Sequence, residues 1–417
     1  MHIVMLSDWE TRGGAAVAAS RLAAGLVAAG AQVTRLVAFP DGQPHPWQTE
    51  YLGAGGVLLR RTARRVAPLE ARAILDRLAR PAAETALRRA LLRLRPDVVH
   101  LHNLHGGAGA GWSPRLAAVA GEYTPVVWTL HDMWPLTGRC VYSYTCERFV
   151  TGCNTACPTA RSYPALPPRL VGPAWEERRA LVAAVPRLTA VAPSHWMATQ
   201  ARRGLWAGRR VERIPNGLPL DYWRPLPRAA ARRALGLPAD GPVALLAMPD
   251  LNDRRKGADL LPALGAALPR GLTVLTMGAG RPPLEALGLR VVPLGFVRAA
   301  ERQATIFSAA DLLIHPAPQD NLPLTVQEAL ACGTPTAALP VGGLPDLVRP
   351  GQTGWLAATP DAAGLAAVVS EALAAIASGN DLRERCRAVA EEEYGVELMV
   401  ERHLALYREI GLPSLLR

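Results

Sequence analysis

Aromatic residues make up only 5% of this 417-residue chain, and phenylalanine occurs four times. Charged residues are sparse at 19%, while half of all residues are hydrophobic, a balance that describes a globular protein with sizeable cores. No run reaches the roughly 18 uncharged apolar residues of a membrane-spanning helix, so no span is expected. No fixed-period repeat or low-complexity tail occurs, which excludes solenoid architectures. The start, MHIVMLSDWETRGG, lacks a basic leader, and its apolar stretch ends at Asp8 and Glu10. It reads as the buried first strand of a cytoplasmic protein rather than a secretory signal. Lysine is far outnumbered by arginine, and the formal charge of +11 calls for an anionic partner to be considered. The arginines are spread through stretches such as RTARRVAPLEARAILDRLAR, which read first as solvated helix faces. Contact with an anionic membrane, at the inner face of the plasma membrane, or with a lipid-linked acceptor comes second. No basic stretch is interleaved with aromatics, so nucleic acid is not the expected partner.

The length fits two domains of α/β size. HIVML, a turn with Gly13 and Gly14, the helical stretch AAVAASRLAAGLVAAG and QVTRLVAF form a strand-loop-helix-strand unit. DVVHLHN (97–103), PVVWTLHD (125–132) and LTAVAPS (188–194) continue the series as buried parallel strands. The Pro-rich segment 213–227, RIPNGLPLDYWRPLP, reads as a linker. A second series follows with VALLAM (243–248), LTVLTMG (272–278), RVVPLG (290–295), DLLIHPA (311–317) and PTAALP (335–340), and the stretch from about Asp381 is helical by pattern.

The segment 311–348, DLLIHPAPQDNLPLTVQEALACGTPTAALPVGGLPDLV, reads as strand, polar loop, helix, Gly-Pro turn, strand and a second glycine-rich loop. In an open α/β sheet, ligands sit beyond the carboxyl ends of strands, where both loops fall. A helix starting near Leu322 to Thr325 presents free N–H groups and a positive dipole end, a favourable place for a diphosphate. Asp320 and Glu328 flank that start. Two acids separated by seven residues before an A-x-G-x-P turn resemble the nucleotide-sugar site of glycosyltransferase family 4. The resemblance implies that Asp320 contacts hydroxyls of the donor sugar and that Glu328 holds the ribose hydroxyls, with Asn321, Leu322 and Pro323 lining the donor. The chain departs from the family in carrying Asp rather than Glu at the first position.

NDRRKGADLL (252–261) is similar to a second family segment and is expected to open a helix after the first strand of the second domain, with Lys256 aimed at the diphosphate. The family's arginine five positions earlier is Leu251 here, which leaves Arg254 or Arg255 as substitutes. The Gly13-Gly14 turn resembles the family's glycine-rich loop, with Gly14 the expected donor contact. His131 in WTLHDMWPLTG falls where related enzymes place a histidine close to the donor sugar, and a neutral imidazole there can donate to a sugar oxygen. A core role remains open for His131, and more strongly for His100 and His102. Ser194, and Asn216 with Gly217, match segments taken as positioning residues. Phe296 in LGFV is either a contact to the base or part of the core.

Cys140, Cys146, Cys153 and Cys157 fall in one loop, 138–160, spaced C-x5-C-x6-C-x3-C, while Cys332 and Cys386 are isolated. Structural zinc is the first expectation, with disulfides or unligated thiols left open. A similar HDMW…TG…C…C…GC…CP insertion occurs in a subgroup of family 4.

The resemblance implies an α/β GT-B fold, two Rossmann-like doubly wound domains facing across a cleft. The expected extents are 1–212 on the acceptor side, 213–394 for the nucleotide sugar, and a terminal helix, 395–417, crossing back to the first domain. It implies a retaining transferase that needs no catalytic cofactor, taking a UDP- or GDP-linked sugar to a glycan or lipid-linked hydroxyl in polysaccharide synthesis. His131, Lys256 and Asp320 are the expected catalytic groups. Two rivals stand beside this reading: a nucleotide-sugar epimerase of the same fold, and a nucleotide- or glycan-binding protein that lost turnover.

Overall fold

The computed structural model describes residues 1–53, 68–281, 284 and 288–411. It divides into two compact units, Met1–Pro215 with the chain from Glu397, and Asn216–Val396. Each is built on a parallel sheet.

In the first unit, seven strands form among the described residues: β1 (His2–Trp9), β2 (Gln32–Phe39), β3 (Gln48–Tyr51), β4 (Val98–Leu101), β5 (Val126–Thr129), β6 (Leu188–Ala192) and β7 (Val211–Arg213). Their order across the sheet is β3-β2-β1-β4-β5-β6-β7. Ile3 to Leu6 and Val126 to Val127 are fully buried, as expected for parallel strands covered on both faces by helices such as Gly14–Ala28 and Leu69–Leu94. The RTARRVAPLEARAILDRLAR stretch lies partly outside the described residues; from Leu69 onward it is helix, with Ile74, Leu75 and Leu78 exposed along with its charges.

The second unit holds β8 (Val243–Asp250), β9 (Thr273–Ala279), β10 (Arg290–Gly295), β11 (Leu312–His315), β12 (Thr336–Ala338) and β13 (Gly354–Leu356), ordered β10-β9-β8-β11-β12-β13. In both sheets the chain starts in the middle, winds to one edge, and returns to build the other side. The reversal falls between β1 and β4, where Ile3 pairs with Val98, and between β8 and β11, where Ala244 pairs with Leu312. Such a switch point leaves a crevice beyond the strand ends, because the two flanking loops turn in opposite directions.

All ten strands expected from the sequence are present. The three that were not expected, β3, β7 and β13, are sheet edges of three or four residues. Their extension comes from pairing with one neighbour, a tertiary contact that leaves little hydrophobic pattern. The supposed linker 213–227 is a packed segment instead. Leu218 and Trp223 are buried in the core of the second unit, and Leu218 bridges to Gly395 by reciprocal backbone hydrogen bonds with Tyr394 and Val396. Proline frequency there marks irregular backbone, which burial of two large side chains still fixes in place.

The terminal helix, Val396–Gly411, packs in the first unit. Tyr407 and His100 Nδ1 lie 2.6 Å apart, His100 Nε2 meets Thr129 Oγ1 at 2.7 Å, and Arg210 forms a two-pronged ion pair with Glu409. The His403 ring lies 5.4 Å from that of His100, tilted by 32°, and burial pushes its imidazole down to about 4 against the opposing pull of the Met399 carbonyl. A histidine that is easier to protonate in the unfolded chain favours unfolding once the pH drops below its ordinary value of about 6.5. Unfolding free energy is therefore expected to fall by about 2 kcal/mol from this group alone between about pH 7.5 and about pH 5. Denaturant titration of the wild type and of His403→Gln at both pH values measures it; equal acid sensitivity in the two proteins would contradict the buried neutral imidazole.

Candidate functional site

The switch point of the second unit brings two loops together. After β8 the chain makes a 3-10 turn, Arg254–Lys256, capped by Asp253, whose carboxylate accepts from the Arg255 N–H at 2.9 Å. Lys256 therefore stands on a tight turn ahead of the helix Leu261–Ala267, not on the helix that the sequence led us to expect. After β11, which ends at His315, the loop runs through Asp320 to the helix Leu324–Ala331. Lys256 Nζ donates to Asp320 Oδ2 at 2.6 Å, and His315 Nε2 lies 3.5 Å from the same oxygen. The Asn321 N–H donates to Asp320 Oδ1 at 3.0 Å.

Asp320 is 4% exposed. Burial alone would raise its carboxyl, but the Lys256 ammonium, with His315 second, holds it well below the usual carboxylate range. The pairing thus favours the carboxylate anion. His315 was not singled out from the sequence, although its place at the carboxyl end of β11, five residues before Asp320, is the signal that would have found it.

Glycines hold this arrangement. Gly342 has φ of +59°, and a Cβ there would come within 1.9 Å of the Asp320 carbonyl oxygen; next to it the Gly343 N–H donates to that same oxygen at 3.0 Å. Gly257, at φ +91°, sits over the Pro316 carbonyl, whose oxygen a Cβ would meet at 2.2 Å. The loops carrying Lys256, Asp320 and the GGLPD turn therefore interlock through backbone contacts that no side chain allows.

Lys256 is also the only lysine among the 46 basic residues of the chain. Elsewhere arginine serves every cationic purpose. An ammonium differs from a guanidinium in being a compact point charge that can be desolvated against one oxygen at a time, which suits a buried carboxylate and a phosphate alike. This compositional signal was legible in the sequence and is sharper than the local motif.

Among the remaining donor-side positions, Leu322 and Pro323 are buried ahead of the helix, and Glu328 is half-buried on it. Arg255 is drawn to Asp253 at 2.7 Å and Arg254 to Asp259 at 2.7 Å, so each carries a neighbouring carboxylate as partner. Leu251 is in the core, where an arginine's charge would be costly. Phe296 is 59% exposed with Arg298 over its ring, which removes the core alternative for that side chain. The Asn216 carbonyl accepts from the buried Gln327 side chain at 2.7 Å.

In the first unit, Gly13 has φ of +92°, and a Cβ on Gly14 would meet nothing within 4 Å. Packing thus does not require glycine at 14, and the start of the helix Gly14–Ala28 is open to approach. His131 Nε2 lies 2.9 Å from His102 Nδ1, and burial pushes His131 down to about 4, so it is neutral at physiological pH. His100 and His102 are both buried, in the core role left open for them. Three groups that the sequence did not single out gather nearby. His105 Nε2 meets Asp132 Oδ2 at 3.0 Å, and Asp8, whose carboxyl is raised by burial, accepts from the Gly106 N–H at 3.0 Å. Ser194 caps the helix His195–Arg203 by accepting from the Met197 N–H at 3.0 Å. The four loop cysteines line one small cavity as free thiols. Glu10, Asp41 and His45 bring metal-ligand atoms within 4.8 Å of one another, but the Trp47 and Thr49 side chains and the Asp41 N–H already donate to Glu10, and Thr11 donates to Asp41. That cluster is a hydrogen-bond network.

Residues 12–222, just over half of the chain, match the family model described as Glycosyltransferase Family 4, and residues 244–375 match the one described as Glycosyl transferases group 1. The chain belongs to glycosyltransferase family 4. It is 34% identical over 217 residues to a D-inositol 3-phosphate glycosyltransferase of Mycobacterium avium (strain 104), covering 48% of this chain and 49% of that one. A D-inositol 3-phosphate glycosyltransferase of Mycobacterium leprae (strain TN) is 37% identical over 164 residues, 35% of this chain and 36% of that one. The chain thus matches about half or less of the length of these relatives. Sucrose-phosphate synthase from Thermosynechococcus elongatus superposes with a TM-score of 0.73 at 23% identity, covering 98% of both chains. HepE of Anabaena, solved in complex with UDP-glucose, gives 0.68 at 18% identity over 98% of this chain and 100% of that one. At such identities the likeness concerns the fold, which is GT-B with two Rossmann-like domains.

The interlocked loops make a direct prediction for this family 4 member. Gly342→Ala should destabilise the second unit by about 2 kcal/mol, since it combines a strained φ with a backbone clash. Thermal unfolding would show it, and an unchanged transition would mean that Gly342 is dispensable for the Asp320 loop.

Proposed function

We propose that the chain is a retaining glycosyltransferase, taking a sugar from a UDP- or GDP-linked donor to a hydroxyl of a glycan or lipid-linked acceptor in cell-surface polysaccharide synthesis. The observation that carries this reading is the Lys256–Asp320 pair at the switch point of the second unit. Without ligand, each charge neutralises the other. A donor diphosphate arriving at the loop after β8 would compete for the ammonium, and Lys256 would then offset negative charge as the sugar–phosphate bond breaks. Asp320, released from its partner, would accept from hydroxyls of the donor sugar, while His315 keeps it ionised. Glu328 would take the ribose hydroxyls. The acceptor would attack on the face that the leaving group departs from, and a phosphate oxygen of the diphosphate would receive the acceptor's proton. The anomeric configuration is then retained with no carboxylate nucleophile and no catalytic metal. His131, neutral by burial, would donate to a sugar oxygen, and Gly14 would admit a phosphate close to the backbone. Family membership supports this scheme, and so does the structural relative solved with UDP-glucose.

A second reading has one observation in its favour. Leu251 occupies the place of a family arginine and is buried, so the diphosphate has one cation fewer, as a binding protein without turnover would tolerate.

A thermal-shift screen against UDP, GDP, ADP, dTDP and their sugars tests the donor class, because a ligand that binds only the folded state raises the transition temperature. We expect one diphosphate to stabilise the protein and Glu328→Ala to abolish the shift. No shift with any of them would count against the donor site. As the sole lysine, Lys256 can also be followed chemically. An amine-reactive reagent should label Lys256 besides the N-terminus, and the stabilising diphosphate should protect it. Lys256→Arg should keep the fold while reducing sugar transfer by about tenfold or more; wild-type transfer would remove Lys256 from the chemistry, and a protein with neither transfer nor donor hydrolysis would support the binding reading.

A further inference from the structure

Between Thr137 and Pro167 the first unit carries a connection whose only α-helix is the single turn Arg148–Thr151. Irregular stretches of this length are uncommon inside a compact unit, because few regular backbone hydrogen bonds hold them. This one is nevertheless buried at Val141, Phe149 and Ala160. All four of its cysteines stand on irregular backbone, and all four line one cavity, together with Ser143, Arg148 and Thr159 among others.

The surroundings of that cavity are positively charged. Arg178 is 4% exposed and donates to the carbonyls of Gly138 and Ala174, while its guanidinium lies within electrostatic reach of Cys140 and Cys153. Arg139, buried as well, donates to the carbonyls of Thr159, Ser162 and Pro164 and to the Thr159 hydroxyl. Among the described residues neither forms an ion pair with a carboxylate. Arg178 also lies 4.1 Å over the Trp134 ring and feels the Glu177 carboxylate, yet carbonyls, a hydroxyl and a ring offset two buried guanidinium charges only in part, so further negative charge here would be favourable. Hydrogen-bond donors already face the sulfurs: the Gly138 N–H points at Cys153 Sγ from 3.3 Å, and Arg148 Nη1 lies 4.0 Å from Cys146 Sγ. Gly138 is held there by close packing, since a Cβ on it would meet the Val171 carbonyl at 2.4 Å and Cys153 Cβ at 3.0 Å.

We propose that Cys140, Cys146, Cys153 and Cys157 bind one zinc ion as a closed, structural tetrathiolate site that cross-links this loop. Four thiolates and a divalent cation carry two net negative charges, matching the two buried arginines, and N–H donors to metal-bound sulfur stabilise such charge. A tetrahedral site filled by four sulfurs leaves no position for substrate, so the ion fixes the loop that follows His131 and takes no part in transfer. The inference does not depend on the donor or acceptor. Zinc–sulfur bonds of about 2.3 Å place the sulfurs about 3.8 Å apart. Binding would bring the four sulfurs to that spacing and release the thiol protons to solvent.

The test is metal analysis of the full chain, purified without chelator, next to cobalt substitution of the same protein. We expect about one zinc per chain, the intense visible and near-ultraviolet absorption of tetrahedral cobalt thiolate after exchange, and loss of metal in Cys153→Ser but not in Cys332→Ser. Since Cys153→Ser can fail by misfolding, the wild-type cobalt spectrum stands as an independent readout. Protein that folds with no bound metal and gives no thiolate–cobalt bands overturns the proposal. So does a non-reduced intact mass lighter by the hydrogens lost to disulfides, or full metal retention in Cys153→Ser.

Discussion

Parallel pairing of β8 with β11 is the constraint on which the second unit's chemistry depends. The strands are far apart in the chain, and the register Ala244–Leu312 to Leu246–Ile314 places their carboxyl ends side by side. Only then do the loops after Asp250 and His315 share a crevice, and only then can an ammonium sixty-four residues away in sequence reach the Asp320 carboxylate. The reversal of winding at this pair is what opens space beyond the ends. The same rule in the first unit gathers Asp8 at the carboxyl end of β1, His102 and His105 after β4, and His131 and Asp132 after β5.

A buried carboxylate is costly, and this protein offsets the cost with a lysine, a histidine and a backbone N–H. Lys256 is partly exposed while Asp320 is not. The exposed partner has the greater room to change its contacts, while the buried one also has His315 at 3.5 Å and the Asn321 N–H at 3.0 Å. Rigidity beneath the pair comes from Gly257 and Gly342, whose missing side chains let three loops touch backbone to backbone. This division of a site into a fixed anion and a movable cation on interlocked loops is a form of preorganisation.

The first unit solves a different problem. Its terminal helix is tied down by buried imidazoles and a tyrosine as well as by ion pairs. Its long cysteine-bearing loop is packed against two buried arginines, Arg139 within it and Arg178 on the helix that follows, and their burial is the physical reason to look for a compensating anion.

By itself, the sequence determined the two α/β units, the ten principal strands, and the candidate loop from Asp320 to Glu328. Buried parallel strands read as continuous apolar runs, and the acids with the Gly-Pro turn have a fixed local spacing. It also held a plain compositional signal at Lys256, the only lysine in the chain. Only the tertiary structure decided the rest. The edge strands β3, β7 and β13 extend because a neighbour pairs with them, and segment 213–227 is ordered because Leu218 and Trp223 find a core. His315, Asp8, His105 and Asp132 join their clusters through strand order, which no local pattern encodes. The partners of Arg254 and Arg255, and the exposure of Phe296, depend likewise on side-chain geometry that spacing along the chain leaves open.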